Sequence, residues 1–569
     1  MRVVQRILIV GGVAGGASCA ARCRRLSEAA RIIMFDRGPY VSFANCGLPY
    51  YVGDVIKKES HLLMATPELF RDRFNIDVRL NSEVVQIDRR QRRIQIRDLT
   101  TDTTYEEAYD KLVLSPGAQP IRPNLAGIDL PGIFSLRTIP DGRRIRGWID
   151  TCQASRAVVV GGGYIGMEMT ENLRNRGLQV TVVEKQNQVI PILDPEMVTV
   201  VHQTLRKKGV DLLLNESVAS FTMGQGQSLK LLLTSGRELD ADLVILAIGV
   251  RPETTLARMA GLDIGVSGGI SVDSRMQTSD PHILAVGDAV EIDDVVTGCK
   301  GLIPLAGPAN RQGRIAANVI NGREDLFRGV QGTSVVGVLG QVAAITGPSE
   351  KRLKQLGLWQ AMEKIYLYPG HHANYYPGAS SISLKLIFRK SDGRIISAQA
   401  VGRDGVVKRI DVISMAIQKE GTVFDLEEAE LCYAPQFGSA KDPVNLAGMI
   451  AANVVRGDVS LAHWEDLPGT QASIYDVREP KEYARGHIDG ALNLPLDQIR
   501  GRLAELPKDK EIWTYCFVGQ RSYYAVRALI LHGLRARNIS GGLKTFLLQK
   551  AIEGATKRKK AAPKSNATG

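Results

Sequence analysis

Two cysteines stand where sulfur chemistry could be done. Cys46 lies in the run Ser42-Phe43-Ala44-Asn45-Cys46-Gly47-Leu48-Pro49, thirty residues after Gly16, the end of a glycine-rich turn that closes the first apolar strand. The five residues that follow it, Gly47 to Tyr51, include no second cysteine. A thiol so placed has no neighbour to form an internal disulfide with, so it must work against an external sulfur atom or through a sulfenic acid. Cys516 opens the run Cys516-Phe517-Val518-Gly519-Gln520-Arg521-Ser522, which reads as a loop between a strand and a helix. Successive backbone N–H groups in such a loop point inward at the sulfur, and the helix N-terminus adds positive potential. That lowers a thiol pKa and stabilises a persulfide. Cys19 and Cys23, four apart on the first helix, read as small core residues, and Cys152, Cys299 and Cys432 have no partner pattern. Seven scattered cysteines without a C-x-x-C pair argue against a disulfide framework and a zinc site, and no metal is expected. They fit a reducing compartment, and a cytoplasmic protein is expected.

The elements that must position these thiols repeat. Residues 6–16, Arg-Ile-Leu-Ile-Val-Gly-Gly-Val-Ala-Gly-Gly, are a buried strand, a glycine turn and a helix start, and residues 156–166, Arg-Ala-Val-Val-Val-Gly-Gly-Gly-Tyr-Ile-Gly, follow the same plan. Each is followed by an apolar strand ending in an acid, Ile32 to Asp36 and Gln179 to Glu184. These are two dinucleotide-binding βαβ units. Gly11, Gly15 and Gly16 let backbone approach a pyrophosphate that the helix N-terminus faces, and Asp36 can accept hydrogen bonds from a ribose diol, with Arg37 beside it. The second turn, Gly161, Gly163 and Gly166, is the full fingerprint. A carboxylate at Glu184 bonds the 2′-hydroxyl of NAD and repels a 2′-phosphate, which favours NADH; Lys185 next to it keeps NADPH as the weaker alternative. Each unit also has a later apolar strand ending in glycine, one carrying Ser115 and Gly117, the other Gly249.

The chain has 569 residues, room for roughly four domains at ~150 each. It is 44% hydrophobic and 23% charged, ordinary for a globular protein, and has no apolar run near the ~20 residues of a membrane span. Its N-terminus goes straight into a strand, so no signal peptide is visible. Five of the positive charges behind the net +12 lie in the tail, at Lys557 to Lys560 and Lys564. The remaining basicity suits anionic small ligands. No aromatic-interleaved basic patch, helix-turn-helix or zinc-finger pattern supports a nucleic-acid partner.

Thr278 to Asp288 is a strand ending in Gly287-Asp288, similar to the second flavin motif of the disulfide-reductase superfamily, in which the acid holds the ribityl chain of FAD. With Ser42 to Pro49, Pro304 to Arg311, His372 to Gly378, Arg409 to Val412, Tyr433 to Pro435 and Lys441-Asp442, residues 1 to about 450 resemble the single-cysteine flavin disulfide reductases of the coenzyme A disulfide reductase type. That resemblance implies FAD held by the first unit, with Asn45, Pro304 and Ala306 on the flavin side, and NADH held by the second. It places Tyr164, after which come Ile165 and Glu168, as an aromatic gate over the flavin. It implies a homodimer in which Tyr375 and Tyr433 of one subunit reach Cys46 of the other, with Tyr376 competing for the first role. Arg22 and Arg25, with Ser42, Phe43 and Asn45, would hold the phosphates and pantetheine of coenzyme A; the alternative for the arginines is a solvated face. Relatives that reduce peroxide or oxygen carry a histidine in the first glycine turn where this chain has Ala14.

Residues 470–555 resemble a rhodanese domain, through Asp476-Val477-Arg478-Glu479, Gly486 to Pro495 and the Cys516 loop, in which Gln520 and Arg521 would meet the sulfur substrate. The expected fold is therefore α/β with two Rossmann-like domains of the glutathione-reductase type, an α+β dimerisation domain and a rhodanese domain. The expected boundaries are 1–120 with 245–325 for FAD, 121–244 for NAD, 326–455 for dimerisation, 456–469 as linker, 470–555 as rhodanese, and 556–569 as a basic disordered tail. The expected activity is NADH-dependent, FAD-mediated reduction of coenzyme A persulfide, polysulfide or coenzyme A disulfide at Cys46, with Cys516 carrying sulfane sulfur. An NADH oxidase or peroxidase, and a sulfurtransferase with a redox-sensing flavin part, are the alternatives.

Overall fold

In the computed structural model, which describes residues 4–560, the strand Arg6–Val10 lies in the middle of a parallel sheet. It pairs with Arg31–Phe35 on one side and Lys111–Leu114 on the other, and Asp77–Arg79 and Ile283–Ala285 extend the sheet outward. A parallel sheet is covered on both faces, which demands near-continuous apolar sequence. Ile7, Leu8 and Ile9 are at most 1% exposed, and each such side chain contributes roughly 1.5–3 kcal/mol by burial. The strand Arg156–Val160 repeats the arrangement, paired in parallel with Gln179–Glu184 and Leu243–Leu246.

The duplication extends to single atoms. Gly11 has φ 94° and Gly161 φ 108°, and a Cβ at either would lie 2.0 Å from Ser115 O or 2.3 Å from Ala247 O. A Cβ at Gly16 would lie 1.9 Å from Gly11 O, and one at Gly166 2.0 Å from Gly161 O. Only glycine lets each helix start so close to its strand.

The chain forms two compact units, Met1–Lys185 with Glu216–Gly332, and Gln186–Asn215 with Thr333–Gly569. Both βαβ repeats begin in the first. In the second, the strands Ser334–Val338, Gln341–Thr346, Ile395–Gly402, Ser383–Arg389 and Met362–Leu367 form an antiparallel sheet in that order, with the helices Val406–Gln418 and Pro443–Val455 following it in the chain. A parallel sheet of Ser460–Ala462, Ala536–Ile539, Ile512–Tyr515, Ser473–Asp476 and Leu492–Asn493 completes the unit. Its first strand falls inside the segment 456–469 that the sequence reads as a linker; three residues are too few to show a periodic pattern.

The parallel sheet is tied to the edge strand Met362–Leu367 and the residues just beyond it. Tyr366 N–H donates to Ser540 Oγ at 3.3 Å, and the Tyr368 and Thr545 hydroxyls lie 2.6 Å apart. His463 Nε2 lies 2.8 Å from a Glu363 oxygen, and Lys364 pairs with Glu465. The helix Gly542–Lys560 runs through the start of the expected tail, and the rest of that tail, from residue 561, lies outside the described residues. No helix among the described residues is long and apolar enough to cross a membrane.

Candidate active site

Both glycine turns are closed by the acid that ends the next strand. Asp36 accepts from the N–H groups of Gly12 (3.0 Å) and Gly38 (2.8 Å), and Glu184 accepts from Gly162 N–H at 2.6 Å. Burial pushes the Asp36 carboxyl up, and the two backbone donors oppose it. A largely buried carboxylate with acceptor capacity left over, facing a turn of bare backbone, fits a ribose diol. Arg37 beside it is exposed.

Ser115 sits between two of the other expected contacts: a Cβ at Gly15 would lie 3.1 Å from its Oγ, and one at Gly287 3.6 Å from it. Gly287 N–H donates to Gln312 Oε1 at 2.7 Å, and Asp288 accepts from Arg137 Nη2 at 3.2 Å. A Cβ at Gly117 would lie 2.9 Å from that same Nη2. Pro304 and Ala306 are exposed at the start of the helix Ala306–Ile320, which approaches the first turn closely enough that a Cβ at Gly313 would lie 2.2 Å from Gly15 O. These residues converge on one end of the first sheet and leave backbone and acid lining it, which suits a flavin dinucleotide. In the second turn, Gly163 has no atom within 4 Å of a built Cβ, so the turn is open where a pyrophosphate would lie. Tyr164, Ile165 and Glu168 occupy the first turns of the helix Tyr164–Asn175, and Gly249, at φ 113°, lies in the link between the strands Leu243–Leu246 and Val250–Pro252 and not at a strand end as the sequence suggests.

The Cys46 run is anchored to the first turn: Ser42 N–H donates to Gly12 O at 2.8 Å, while Ser42 O accepts from Met64 N–H at 2.8 Å. Ser42 is held at φ 48°, a left-handed conformation that costs a non-glycine residue on the order of 1–3 kcal/mol. Phe43 forms an isolated bridge with Leu63. Cys46 follows in a single 3₁₀ turn, Asn45–Gly47, with its Sγ 3.6 Å from Asn45 Oδ1. Solvent reaches the sulfur, yet the surrounding protein desolvates it. That burial, then the carboxylates of Glu168 and Asp288, push the thiol pKa up, against Arg137. Glu168 itself is pushed up to about 7 by burial, with a Tyr50 hydrogen bond opposing. The site thus holds a thiol, a carboxylic acid poised at neutrality, a phenol and an arginine.

Arg22, Arg25 and Ser42 line one cavity of about 440 Å³ together with Asn310, Arg314 and Phe70. The Arg22 pKa is lowered, first by burial and then by the like charges of Arg314, Arg323 and Arg25. Cations crowded beside a cavity with one nearby acid, Asp325, favour a polyanionic ligand.

In the second unit the Tyr375 and Tyr433 hydroxyls lie 2.8 Å apart, although the two residues are 75% and 48% exposed. Their mutual hydrogen bond pushes the Tyr375 phenol up. The loops bearing them are joined by Ala373 N–H donating to Gly438 O at 2.9 Å, and by Arg409, whose guanidinium pairs with buried Asp442 at 2.7 Å and donates to His371 O at 2.7 Å. Tyr376 stands edge-on to His372 instead.

Cys516 follows the strand Ile512–Tyr515 and is 1% exposed. Gly519 N–H donates to its Sγ at 3.2 Å and Ser522 O–H at 3.6 Å. Gly519, at φ 98°, caps the helix Gln520–Leu531. Arg521 is clamped by both oxygens of Glu482 at 2.6 and 2.8 Å, and Gln520 turns to the Tyr524 hydroxyl at 3.1 Å. A Cβ at Gly542 would lie 2.4 Å from Cys516 O, so the next helix also starts against the loop.

Sequence reasoning missed Tyr50, Arg137, Arg314 and Gly542. Tyr50, four residues after Cys46, and the Gly541-Gly542 pair after a strand were visible signals; Arg137 and Arg314 reach the site only through tertiary packing. Among the described residues one acidic trio has metal-like spacing, Asp194, Glu196 and Glu350, and the Lys385 ammonium lies among them at 2.8, 2.7 and 2.6 Å.

Three family profiles match the chain: pyridine nucleotide-disulphide oxidoreductase over residues 5–313, the dimerisation domain of the same family over 336–442, and rhodanese-like domain over 462–549. A coenzyme A disulfide reductase of Staphylococcus epidermidis is 35% identical over 446 residues, 78% of this chain and 99% of that one. The crystal structure of reduced Bacillus anthracis CoADR-RHD is 48% identical with a TM-score of 0.93, covering 96% of this chain and 98% of the other. A NAD-dependent persulfide reductase from A. fulgidus is 35% identical with a TM-score of 0.87, covering 95% and 100%.

Proposed function

The chain belongs to the pyridine nucleotide-disulphide oxidoreductases, with a rhodanese-like domain fused behind, and from that membership we propose that it is an NADH-dependent flavoenzyme reducing coenzyme A persulfide, coenzyme A disulfide or polysulfide. The observation that carries the reading is the lone Cys46, without a resolving cysteine, in the same unit as a cavity rimmed by arginines.

FAD supplies the two-electron relay between NADH and sulfur. The Gly11 and Gly161 turns receive the two pyrophosphates, and Asp36 and Glu184 the two riboses. Arg22, Arg314 and, further out, Arg25 hold the phosphates of coenzyme A, directing its pantetheine past Ser42 and Asn45 to Cys46. With coenzyme A persulfide, the Cys46 thiolate attacks the inner sulfur. The new S–S bond joins Cys46 to the carrier, and hydrosulfide leaves with the electron pair of the broken bond. Two electrons and a proton then split the mixed disulfide, returning Cys46 as thiolate and the carrier as thiol. The Tyr375–Tyr433 pair of a second copy protonates the departing thiolate, which makes the homodimer the working form. Cys516 carries sulfane sulfur to or from the carrier. Seven free cysteines and small anionic substrates suit the cytoplasm.

Anaerobic stopped-flow tests this. Protein reduced by NADH and mixed with coenzyme A persulfide should reoxidise with stoichiometric hydrosulfide release. Cys46→Ser should lose that reoxidation by at least about 10³-fold while still being reduced by NADH. Reoxidation only on adding oxygen or peroxide would sink the proposal.

A further inference from the structure

The sulfur of Cys516 is screened by its own loop, so a donor or acceptor must be presented at the loop's rim. Arg521, the cation in the loop, is neutralised by Glu482. Lys544 is different. Its backbone N–H donates to Phe517 O at 2.9 Å, as Leu543 N–H does to Cys516 O at 2.8 Å, so Lys544 is bonded to the cysteine loop itself. Its Nζ lies 4.1 Å from the centre of the Tyr368 ring, which follows directly on the edge strand Met362–Leu367 of the antiparallel sheet and is fixed by Thr545 Oγ1 at 2.6 Å. No carboxylate among the described residues pairs with this ammonium, and burial alone pushes its pKa down. A half-buried ammonium with a ring face behind it and no counter-ion is costly to keep and is completed by an anion. Exposed Phe517 is the adjacent apolar surface.

We propose that Lys544, backed by Tyr368, is the recognition point for an oxyanion carried by the sulfur donor or acceptor of Cys516, either the sulfonate of thiosulfate or the phosphates of a coenzyme A persulfide. This rests on the reading of Cys516 as a sulfur carrier. In the thiosulfate reaction the Cys516 thiolate attacks the sulfane sulfur, the S–S bond to the cysteine forms, the bond to the sulfonate sulfur breaks, and sulfite leaves with its electron pair. Lys544 takes no part in that exchange. It is a positioning residue, and it should act on KM.

The test uses the full-length protein, loading Cys516 from thiosulfate, from coenzyme A persulfide, or from the persulfide of 2-mercaptoethanol, which carries no sulfonate or phosphate, read by intact mass. Lys544→Gln should raise KM about tenfold or more for a donor bearing the recognised oxyanion with kcat within about twofold, and leave the donor without an oxyanion group unchanged. Lys544→Arg should restore the oxyanion-bearing donor to within about threefold, and Tyr368→Leu should fall between. Which oxyanion-bearing donor shifts identifies the oxyanion. NADH reduction of the flavin controls for folding. An unchanged KM for both oxyanion-bearing donors in Lys544→Gln, or an equal loss with the 2-mercaptoethanol persulfide, would overturn the proposal. If wild-type Cys516 accepts sulfur from none of the three, the reading of Cys516 fails and takes the proposal with it.

Discussion

Glu168 is the residue whose protonation state near neutrality matters most to Cys46. Burial raises its pKa to about 7, so it is neutral below that pH and charged above it. Once charged it joins Asp288 in holding the Cys46 thiol protonated. Glu168→Gln removes that charge. Alkylation of Cys46 in the holoenzyme should then show a lower pH midpoint, and the break near pH 7 in the reoxidation rate should vanish. A profile identical to wild type would show that Glu168 does not act on the thiol. Cys46, Cys516 and the glycine turns were legible in the sequence because their chemistry fixes residue type at short spacing. Arg137 was not, because it meets Asp288 from 151 positions away. Arg314 was not, because only the packing of two helices sets it opposite Arg22. Tyr50 stood beside Cys46 in plain view, but nothing local tied it to Glu168.

At the scale of elements, the helix Pro195–Lys207 and the antiparallel sheet meet through buried charge. Lys385, fully buried, bonds Asp194, Glu196 and Glu350, and Lys364 bonds Glu350 from the next strand. Burial would push Glu350 up, but the two lysines overcome it and hold the carboxyl well below its usual range. Lys385→Met should therefore cost about 3–5 kcal/mol by stranding carboxylates, seen as a lowered thermal midpoint. Because the folded pKa is depressed, this stabilisation is present above the unfolded carboxyl range near ~4.3 and is lost as pH falls below it. A midpoint independent of pH from 6 to 3 would contradict it. Strands at 383–389 and 395–402 could be read from β-branched alternation, whereas Met362–Leu367 could not, since its Glu363 and Lys364 look like surface until their buried partners are seen. A second element-scale prediction concerns the start of the last helix. Gly542→Ala would drive a Cβ to 2.4 Å from Cys516 O at a φ of 58°. It should suppress sulfur loading of Cys516 at least about tenfold while NADH-dependent disulfide reduction persists.

At the scale of the molecule, two thiol sites occupy two units of one chain. Their variants should separate cleanly: Cys516→Ser should keep direct reduction of coenzyme A persulfide and lose the ability to feed it from thiosulfate, while Cys46→Ser does the reverse. Coupled hydrosulfide release from thiosulfate, NADH and coenzyme A measures this, and survival of that flux in Cys516→Ser would deny the two sites a common pathway. Fusion favours the pathway by raising the effective concentration of the carrier that one site releases and the other takes up. The order of domains was legible from motif positions, but the seam before the last domain was not. Ser460–Ala462, upstream of the apparent start, supplies a strand to the parallel sheet beside Ala536–Ile539. A fragment begun at residue 470 would be born with that strand stripped away and a raw row of amide and carbonyl groups on its flank. Such a flank recruits other chains, so the excised piece should self-associate in light scattering, and one begun at residue 457 should not.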